Sequence, residues 1–534
     1  MESPEDRNGN DVRQPLLEKI PVKKEAEGEE RLCIDEMLQR YCGEFGRWQL
    51  KHFVLTCIAW ALEAFHTMVM IFADQEPEWR CVGSDCRVGS LNCELDPSSW
   101  EWTAGKGSST VSEWGLICGD KYKVGLVQAL FFAGCMIGKF FFSLLYFFLF
   151  GHLSDSKLGR KGSLTVVCII NAIFGIATAF SPNYWTYVVL RFLTGFSTGG
   201  VGLTAFVLAT EPIGPSKRGV AGMSTFYFFS AGIAVLSGIA YVFRSWRELF
   251  IVSSLPSLLF LLIVIPFISE SPRWYLVRGK VDEAMKLMHS IAKTNGRHIP
   301  AGVTLALDDD VENNNGERNT AVEGSLKDVI LSPLMRMRLV ISVAISFTVS
   351  IVYYGLSLNV GNLKTNLYLN VFVNAVSEMP AFAITAVLLD KYGRKPLSIG
   401  TQWFSCVFCL VGFSVWGAGP WKSVRMVSGV LGIFGMAGTY NLLFIYIAEL
   451  FPTVVRNAAL GCATQAAQMG AILAPFVVVL GEELPFGVFA VCGLVGGGLA
   501  FYLPETLNKP LYDTMFGMHE AESESNRERG EVIC

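Results

Sequence analysis

The residues of this sequence that could do chemistry are a few ionisable side chains inside long apolar runs. Glu63 and His66 stand three positions apart, so a helix places them on one face, and Glu378 lies beside Pro380 in a later run. Charge inside a membrane is costly and usually functional. A carboxylate next to an imidazole predicts proton coupling at Glu63 and His66, with an interhelical hydrogen bond as the alternative. Glu378 could meet a cationic substrate or pair with a buried arginine.

Aromatic residues provide a second kind of candidate, because ring faces attract quaternary ammonium groups. The candidates are Tyr353, Tyr354, Phe226, Tyr227, Phe228 and Phe229. Most aromatic residues at helical spacing simply pack or face lipid, so each of them alone is weak support for a cation site.

The distribution of charge along the chain indicates which kind of structural element carries these residues. The chain has 534 residues, 51% of them hydrophobic, with 43 Lys and Arg and 47 Asp and Glu. Four segments totalling 201 residues hold 65 of these charges, which leaves 25 for the other 333 residues. A soluble fold cannot leave so much chain without charge. The sequence therefore predicts a polytopic membrane protein, and its net charge of −4 without a basic stripe argues against nucleic-acid binding.

A membrane-spanning helix needs about 20 mostly apolar residues. The sequence contains twelve such runs, six on each side of a polar segment, and the last is predicted at 484–504. We predict an all-α membrane protein with twelve transmembrane helices in two six-helix halves. Its predicted parts are an N-terminal tail (1–51), a first bundle (52–268) with a large loop (74–123), a central loop (269–338), a second bundle (339–504) and a C-terminal tail (505–534).

Lysine and arginine in the short loops predict the orientation. Loops after even-numbered spans carry nine of these residues and loops after odd-numbered spans carry four, which places both termini and the central loop in the cytoplasm. The 74–123 loop then lies on the opposite side. Clustered cysteines on such a face favour two disulfides, with three possible pairings and free thiols as the alternative. These cysteines are Cys81, Cys86, Cys93 and Cys118.

Several polar motifs occur twice, at an offset of 234 to 238 residues. The first set is Asp155, Arg160, Lys161, Arg191, Glu211, Arg218, Glu270 and Arg273, and the second is Asp390, Arg394, Arg425, Glu449, Arg456 and Glu505. Acidic and basic groups at helix ends can cap termini and form ion pairs. The duplication favours gating by pairs that form in one state and break in another, with static capping as the alternative. Two parallel-related halves also indicate an alternating-access transporter with its site between them.

The chain carries, in this order, GHLSDSKLGRK, RFLTGFSTGG, SESPRWYLVRGK, LLDKYGRKPL, AELFPTVVRNAALG and LPETL. This set resembles the major facilitator superfamily, and more narrowly its organic cation/carnitine transporters of the plant type. The resemblance implies a secondary transporter for small organic cations or zwitterions such as carnitine, working in a lipid bilayer and possessing no cofactor, metal site or catalytic residue. It also implies that Glu378 and Tyr353 line the substrate cavity, and we include Tyr227 among the substrate-binding candidates.

One departure from the resembled pattern concerns the substrate. Cation-transporting relatives keep an acidic residue in the eleventh span, a few residues before a glycine and a proline. Here Gln468 takes that place, ahead of Gly470 and Pro475. Gln468 is still a substrate-site candidate, but a cation loses one expected partner. A sugar or organic-anion porter is therefore an alternative, and a non-transporting membrane receptor is a rival of another class, which the intact duplicated motifs disfavour.

A second departure lies in the second span, between Gly138 and Gly151. Relatives separate these glycines by about four residues and this chain by twelve, and the added segment carries Lys139. An unpaired lysine in hydrocarbon costs about 2.5–3.5 kcal/mol or more. We interpret segment 139–150 as a splice or gene-model variant, with a functional lysine as the alternative.

The energy source and the membrane are the last expectations. The sequence lacks a Walker motif, so we do not expect ATP-driven transport. Plant members of the resembled family occur in vacuolar and plasma membranes. We expect the vacuolar membrane, with the plasma membrane as the alternative.

Overall fold

The structure is a computed structural model that describes residues 30–82, 99–151, 159–306, 326–363, 365–415, 420–509, 512 and 517–518. Three residues named above lie outside this part of the chain. They are Asp155, Cys86 and Cys93.

The first half is built from six spanning segments, the first of which consists of two helices. They are α2 (Arg47–Met68) with α3 (Met70–Ala73), α5 (Tyr122–Gly151), α6 (Arg160–Thr178), α7 (Tyr184–Thr210), α8 (Pro215–Val242) and α9 (Trp246–Leu259). Short helices α1 (Ile34–Met37) and α4 (Thr110–Trp114) precede α2 and α5. The apolar composition of these segments favours helices, which satisfy every backbone hydrogen bond internally.

The second half repeats this arrangement after the central loop. Its helices are α13 (Pro333–Leu358), α14 (Leu367–Tyr392), α15 (Arg394–Ser414), α16 (Pro420–Leu450), α17 (Thr453–Val479) and α18 (Leu484–Ala500). The central loop contributes α10 (Pro272–Val277), α11 (Val281–Thr294) and α12 (Leu326–Leu331).

The all-α membrane fold is confirmed. Eleven helices in the described chain are long and apolar enough to cross a membrane, and α18, with 17 residues, ends before the predicted boundary at 504. Beyond Ala500 the chain continues in a tighter turn, in which the N–H groups of residues 501–503 bond to the carbonyls three residues earlier, and Pro504, which lacks an N–H, ends it. The sequence also missed four three-residue strands: β1 (Glu30–Leu32), β2 (Trp79–Cys81), β3 (Trp100–Trp102) and β4 (Val303–Leu305).

Glycines bring α5 and α7 into close contact. A Cβ atom at Gly134 or Gly138 would come within 2.2 Å of a backbone carbonyl oxygen of α7. The reverse holds for Gly195 and Gly199, whose Cβ atoms would come within 2.4 Å of carbonyls of α5. Small residues at helical spacing on both partners are the usual basis of tight helix packing in membranes.

The two halves meet at the centre and towards one face, which we call the first-loop face because residues 74–82 and 99–121 lie there. Ser237 of α8 donates a hydrogen bond to the carbonyl of Tyr368 in α14 at 2.6 Å. The ring of Phe72 stacks on that of Tyr368 with centroids 5.7 Å apart. A Cβ atom on Gly125 of α5 would lie 3.3 Å from the carbonyl of Pro475 in α17. The halves are therefore in contact at the first-loop face.

The opposite face, here called the central-loop face, carries a small packed unit. Strand β1 pairs in parallel with β4, and α1 packs with α10 and α11 around a shared apolar core. Residues 30–46, which the sequence assigned to an N-terminal tail, thus contribute to this unit. Asp35 ties this unit to the first half, because its carboxylate accepts hydrogen bonds from Arg218 at 2.7 Å and from Arg273 at 2.5 Å.

Candidate substrate site

The carboxylate of Glu378 lies at the boundary between the two halves. Glu378 belongs to α14 and is 1% exposed. The Tyr353 hydroxyl of α13 donates to both carboxylate oxygens at 3.2 Å, and Ser230 of α8, in the other half, donates to Oε2 at 2.5 Å. Within the described chain, no arginine or lysine is paired with this carboxylate. The hydroxyl groups leave the negative charge available for a cation.

Aromatic rings from both halves surround this region and form what we call the aromatic cage. Its members are Trp60, Phe132 and Phe226 from the first half and Tyr353, Tyr354 and Tyr440 from the second. The Phe132 and Tyr354 centroids lie 4.8 Å apart, and those of Phe226 and Tyr440 lie 6.1 Å apart, so ring contacts cross the boundary twice. Tyr353 contacts Tyr440 at 5.3 Å, which joins the cage to Glu378.

A small cavity lies next to the cage on the side of the second half. It is lined by Ser346, Tyr440, Leu443, Phe444, Ile447, Leu460, Ala463, Thr464 and Ala467. Tyr440 belongs to both the cavity and the cage. The arrangement puts aromatic rings beside a buried carboxylate, which is the combination that a small organic cation needs.

Two other predicted substrate residues, Tyr227 and Gln468, are not among the hydrogen-bond partners of the carboxylate in the described chain. Tyr227 is half-buried and packs edge to face on Phe382 at 5.5 Å. Gln468 is buried in α17. Phe228, by contrast, packs on Phe53 in a separate cluster. The structure brings Tyr353 into contact with Glu378, and the roles of Tyr227 and Gln468 stay predictions.

Glu63 and His66 are both buried, but their side chains face different helices. Glu63 Oε2 has no hydrogen-bond partner in the described chain, and a Cβ atom on Gly202 of α7 would lie 2.1 Å from it. His66 lies against Gly175 of α6, whose Cβ atom would come within 2.6 Å of His66 Cε1. Neither ring nitrogen of His66 has a partner among the described residues. The structure thus shows two buried ionisable groups that each have polar atoms without a hydrogen-bond partner in the described chain, and no direct hydrogen bond between them.

The duplicated motifs of the first half form one network at the central-loop face. Arg160, at the start of α6, pairs with Glu211 at 3.4 Å. Glu270, after the sixth span, accepts hydrogen bonds from the backbone N–H of Lys161 at 3.1 and 3.2 Å. A carboxylate at the first N–H groups of a helix satisfies unpaired donors and complements the helix dipole.

The second half builds the same network from the equivalent residues. Arg394, at the start of α15, pairs with Glu449 at 2.8 Å. Glu505 accepts hydrogen bonds from the backbone N–H groups of Arg394 at 2.9 Å and Lys395 at 3.0 Å. The internal repeat is therefore a repeat of contacts as well as of sequence. All of these contacts lie within one half, so each network fixes the helix ends of its own bundle.

The next duplicated arginines, Arg218 and Arg456, have different partners. Arg218 binds Asp35 of the central-loop unit, which also binds Arg273. Arg456 donates from Nε to the carbonyl of Ala448 at 2.7 Å. Arg218 therefore has an ion pair with the N-terminal segment, whereas Arg456 has no equivalent ion pair in the described part of the chain.

The last duplicated residues are two buried arginines and one exposed aspartate. Arg191 donates to the carbonyl of His66 at 2.9 Å, and Arg425 donates to that of Val415 at 2.7 Å. Both arginines thus tie the ends of neighbouring segments within their own half. Asp390 is exposed at the end of α14. Its gating role stays a prediction.

Side-chain contacts fasten the first loop to the first half. Glu113 accepts hydrogen bonds from the Trp246 indole at 2.7 Å and from Arg247 at 2.5 Å. Asp74 accepts from the hydroxyls of Tyr187 at 2.7 Å and Thr110 at 2.8 Å. The loop is thereby held against α7 and α9. Within the loop, Cys81 and Cys118 each take part in a disulfide bond. Which cysteines pair with each other stays a prediction.

Comparison with known proteins decides the family. The model of the sugar (and other) transporter family matches residues 90–516. The chain is 98% identical to the organic cation/carnitine transporter 4 of Arabidopsis thaliana over the full length of both proteins. The chain belongs to the organic cation/carnitine transporters within this family. It is also 35% identical to organic cation/carnitine transporter 3 of the same plant, over 90% of this chain and 92% of that protein.

Solved structures agree with the transporter fold. The inward-open xylose transporter XylE from E. coli matches with a TM-score of 0.60 and 17% identity, over 86% of this chain and 98% of that one. A crystal structure of a D-xylose-proton symporter matches with a TM-score of 0.59 and 16% identity, over 86% and 99% of the two chains. The protein is a major facilitator transporter and not an enzyme.

Sequence reasoning missed part of this transporter's site. Ser230 is the main omission, although it follows Phe226 by four positions and so lies on the same helix face. Trp60, Phe132 and Tyr440 were also missed. They come from three helices that are far apart in sequence, and no local spacing marks them.

Proposed function

We propose that this transporter moves small organic cations or zwitterions, such as carnitine, by rocking of its two halves around Glu378 and the aromatic cage. The observation that carries the proposal is the position of Glu378, whose buried carboxylate is bound by hydroxyls from both halves. The names of the plant relatives point to the same substrates. Ring faces of the cage supply cation–π attraction of about 0.5–2 kcal/mol each when desolvated.

Uptake by purified protein in phosphatidylcholine vesicles tests this proposal. We expect saturable uptake of labelled carnitine and of tetraethylammonium, and a loss of at least tenfold in Glu378→Gln, because the variant removes the site's charge while keeping its size. Glu248→Gln is the matched control, since Glu248 is exposed in the first turn of α9 and should leave uptake unchanged. Uptake that is insensitive to Glu378→Gln would contradict the cation site.

The same assay tests the rival functions. A sugar or organic-anion porter, which Gln468 keeps open, would take up labelled glucose or p-aminohippurate in preference to carnitine. A receptor would take up none of these compounds. Carnitine uptake that depends on Glu378 and exceeds the uptake of glucose and p-aminohippurate excludes both rival functions.

We further propose that Glu63 and His66 couple transport to protons. Both groups are buried in α2, and Oε2 of Glu63 and both ring nitrogens of His66 have no hydrogen-bond partner in the described chain. Uptake should respond to an imposed pH gradient in the wild type and lose that response in Glu63→Gln. If the wild type ignores the gradient, the coupling proposal fails while the cation site stands.

We propose that the central-loop face is cytoplasmic and that the protein resides in the vacuolar membrane, with the plasma membrane as the alternative. The bias of lysine and arginine supports this orientation. A fluorescent fusion shows which membrane is labelled. Protease treatment of intact vacuoles shows on which side the tails lie, and protected termini would contradict the orientation.

A further inference from the structure

An apolar groove runs along the outside of the second half, between α14, α15 and α16. Its lining includes Ala381, Ile384, Leu388, Tyr392, Gly400 and Phe404. None of its lining residues belongs to the aromatic cage or to the cavity beside it. The groove is therefore separate from the proposed substrate site.

The groove faces the lipid of one leaflet. Ile384 is 47% exposed and Phe404 39% exposed on the outer surface of the bundle, where a membrane protein contacts hydrocarbon. From Ala381 to Tyr392 the helix advances about 16 Å. This length is about half of the roughly 30 Å hydrocarbon thickness of a bilayer. The groove thus begins near the membrane centre and ends at the central-loop face, at an exposed tyrosine of the kind found at the level of lipid headgroups.

One basic residue, Lys391, lies at the end of the groove at that face. Lys391 is exposed and follows Leu388 by three positions, so it shares the helix face that lines the groove. Its Nζ atom lies 5.4 Å from the ring centre of Tyr392. Lys395, at the start of α15, is directed away from the groove, because its Nζ atom donates a hydrogen bond to the carbonyl of Phe501 at 2.7 Å. Asp390 also lies at this level, but it directly precedes Lys391 and therefore points about 100° away from it around the helix.

We propose that this groove binds one acyl chain of an anionic phospholipid from the leaflet at the central-loop face, with the phosphate at Lys391. The apolar lining, the length of one leaflet and the basic end match the two parts of such a molecule. The walls of the groove connect the lipid to transport. Ala381 lies three residues after Glu378 on α14, and α16 carries Tyr440 of the cage. A bound chain would therefore stabilise one packing of the two helices that hold the substrate site.

Gly400 provides a variant that fills the groove without disturbing the core. A Cβ atom at Gly400 would have no heavy atom within 4 Å, so a leucine side chain has room in the groove. Gly238 is the matched control. It is also an exposed helix glycine with open space around its Cβ position, and it lies in α8, which does not border the groove.

The test is photo-crosslinking of the full-length transporter in phosphatidylcholine vesicles. The probe is phosphatidylglycerol with a diazirine in one acyl chain, and labelled peptides are mapped by mass spectrometry. We expect labelling concentrated on the groove segments of α14 and α15, retained in Gly238→Leu and largely lost in Gly400→Leu. A diazirine phosphatidylcholine should label the wild type roughly fivefold less, since one lysine near the surface contributes that order of preference.

The exposed substitution Lys391→Gln gives a second variant that leaves the packing intact. It should remove most of the preference for phosphatidylglycerol over phosphatidylcholine while labelling stays in the groove. Labelling spread evenly over all lipid-facing helices would overturn the proposal, as would undiminished labelling of Gly400→Leu. Equal labelling of the wild type by the two lipids would overturn it as well, because the anionic headgroup is part of the proposed ligand.

Discussion

Ser230 and Glu378 connect the two halves of the transporter through a single buried hydrogen bond. Ser230 is fully buried in α8 of the first half, and its hydroxyl donates to the Glu378 carboxylate in the second half. Tyr353, the other hydroxyl donor to this carboxylate, belongs to the second half. The proposed cation-binding group is therefore also a contact between the parts that must move. Any motion that separates α8 from α14 breaks this bond, and any substrate at Glu378 acts on it.

The first prediction is that Ser230→Ala weakens cation uptake. A hydrogen bond to a charged group contributes about 1.5–3 kcal/mol, so we expect the apparent KM for tetraethylammonium to rise about tenfold or more. Ser230→Thr keeps the hydroxyl and should restore most of the affinity. Initial uptake rates over a range of substrate concentrations measure the effect. Equal KM values for Ser230→Ala and the wild type would show that the bond has no role in binding.

The sequence predicted the parts of the molecule that depend on local composition. The apolar runs gave the spanning helices, and the repeat gave the matching networks of Arg160 and Arg394. Contacts between distant segments could not be predicted. Strand β1 pairs with β4 across more than 250 residues of chain, and Ser230 reaches Glu378 across 148. Such pairs are determined by how whole helices pack, and a single sequence contains no local pattern for them.

The second prediction concerns the two equivalent carboxylates Glu505 and Glu270. Burial raises the pKa of Glu505, but backbone N–H groups, chiefly that of Arg394, outweigh it, so its net pKa lies below the usual value. Burial raises the pKa of Glu270 more than its backbone hydrogen bonds lower it, so its net pKa lies above the usual value. The two helix caps therefore depend on pH in opposite directions.

The consequence for stability follows from the sign of each shift. A lowered carboxyl pKa stabilises the fold above the unfolded pKa of about 4.3, and this stabilisation is lost as the pH falls through the folded value. Glu505→Gln should thus lower the unfolding midpoint in detergent at pH 7, by the equivalent of about 1 kcal/mol, and have less effect at pH 4. At pH 7, Glu270→Gln should lower the free energy of unfolding by less than Glu505→Gln does, because burial disfavours the charged form of Glu270. An equal loss in both variants at pH 7 would contradict the assignment.

The third prediction is that Asp35→Asn releases the N-terminal segment. Burial raises the pKa of Asp35, but the hydrogen bonds and charges of Arg218 and Arg273 outweigh it and hold the pKa below its usual value. The ion pairs therefore persist at neutral pH and weaken as the pH falls below about 4. All three side chains are about one-third exposed, so the loss in stability should be modest, about 1 kcal/mol.

Limited proteolysis gives the sharper measurement for Asp35→Asn. We expect faster cleavage within residues 30–46 at pH 7, with uptake retained because the segment lies away from the cage. Glu36→Gln is the control, since it changes the neighbouring acidic residue of α1 and leaves both ion pairs in place. Unchanged cleavage in Asp35→Asn would mean that the β1–β4 ladder and the apolar core hold the segment without Asp35.

The fourth prediction concerns the inserted segment of the second span. Helix α5 has 30 residues, which corresponds to about 45 Å and exceeds the roughly 30 Å of hydrocarbon that it must cross. Deleting residues 139–146 leaves 22 residues, or about 33 Å, which fits the bilayer and removes Lys139 from it. The deletion removes about 2.2 helical turns, so the residues after it rotate by about 80° relative to those before it. The close contacts of Gly134 and Gly138 with α7 come before the deletion and are kept.

We therefore expect the shortened chain to take up carnitine at least as fast as the full chain, and to have a higher unfolding midpoint. Lys139→Met separates the two interpretations of the segment. Lys139 is half-buried and close enough to Glu63 to interact with it electrostatically. If that interaction serves transport, Lys139→Met will abolish the response to a pH gradient in the full chain. If the segment is dispensable, both the variant and the deletion will keep this response, and parallel uptake measurements at two pH values distinguish these results.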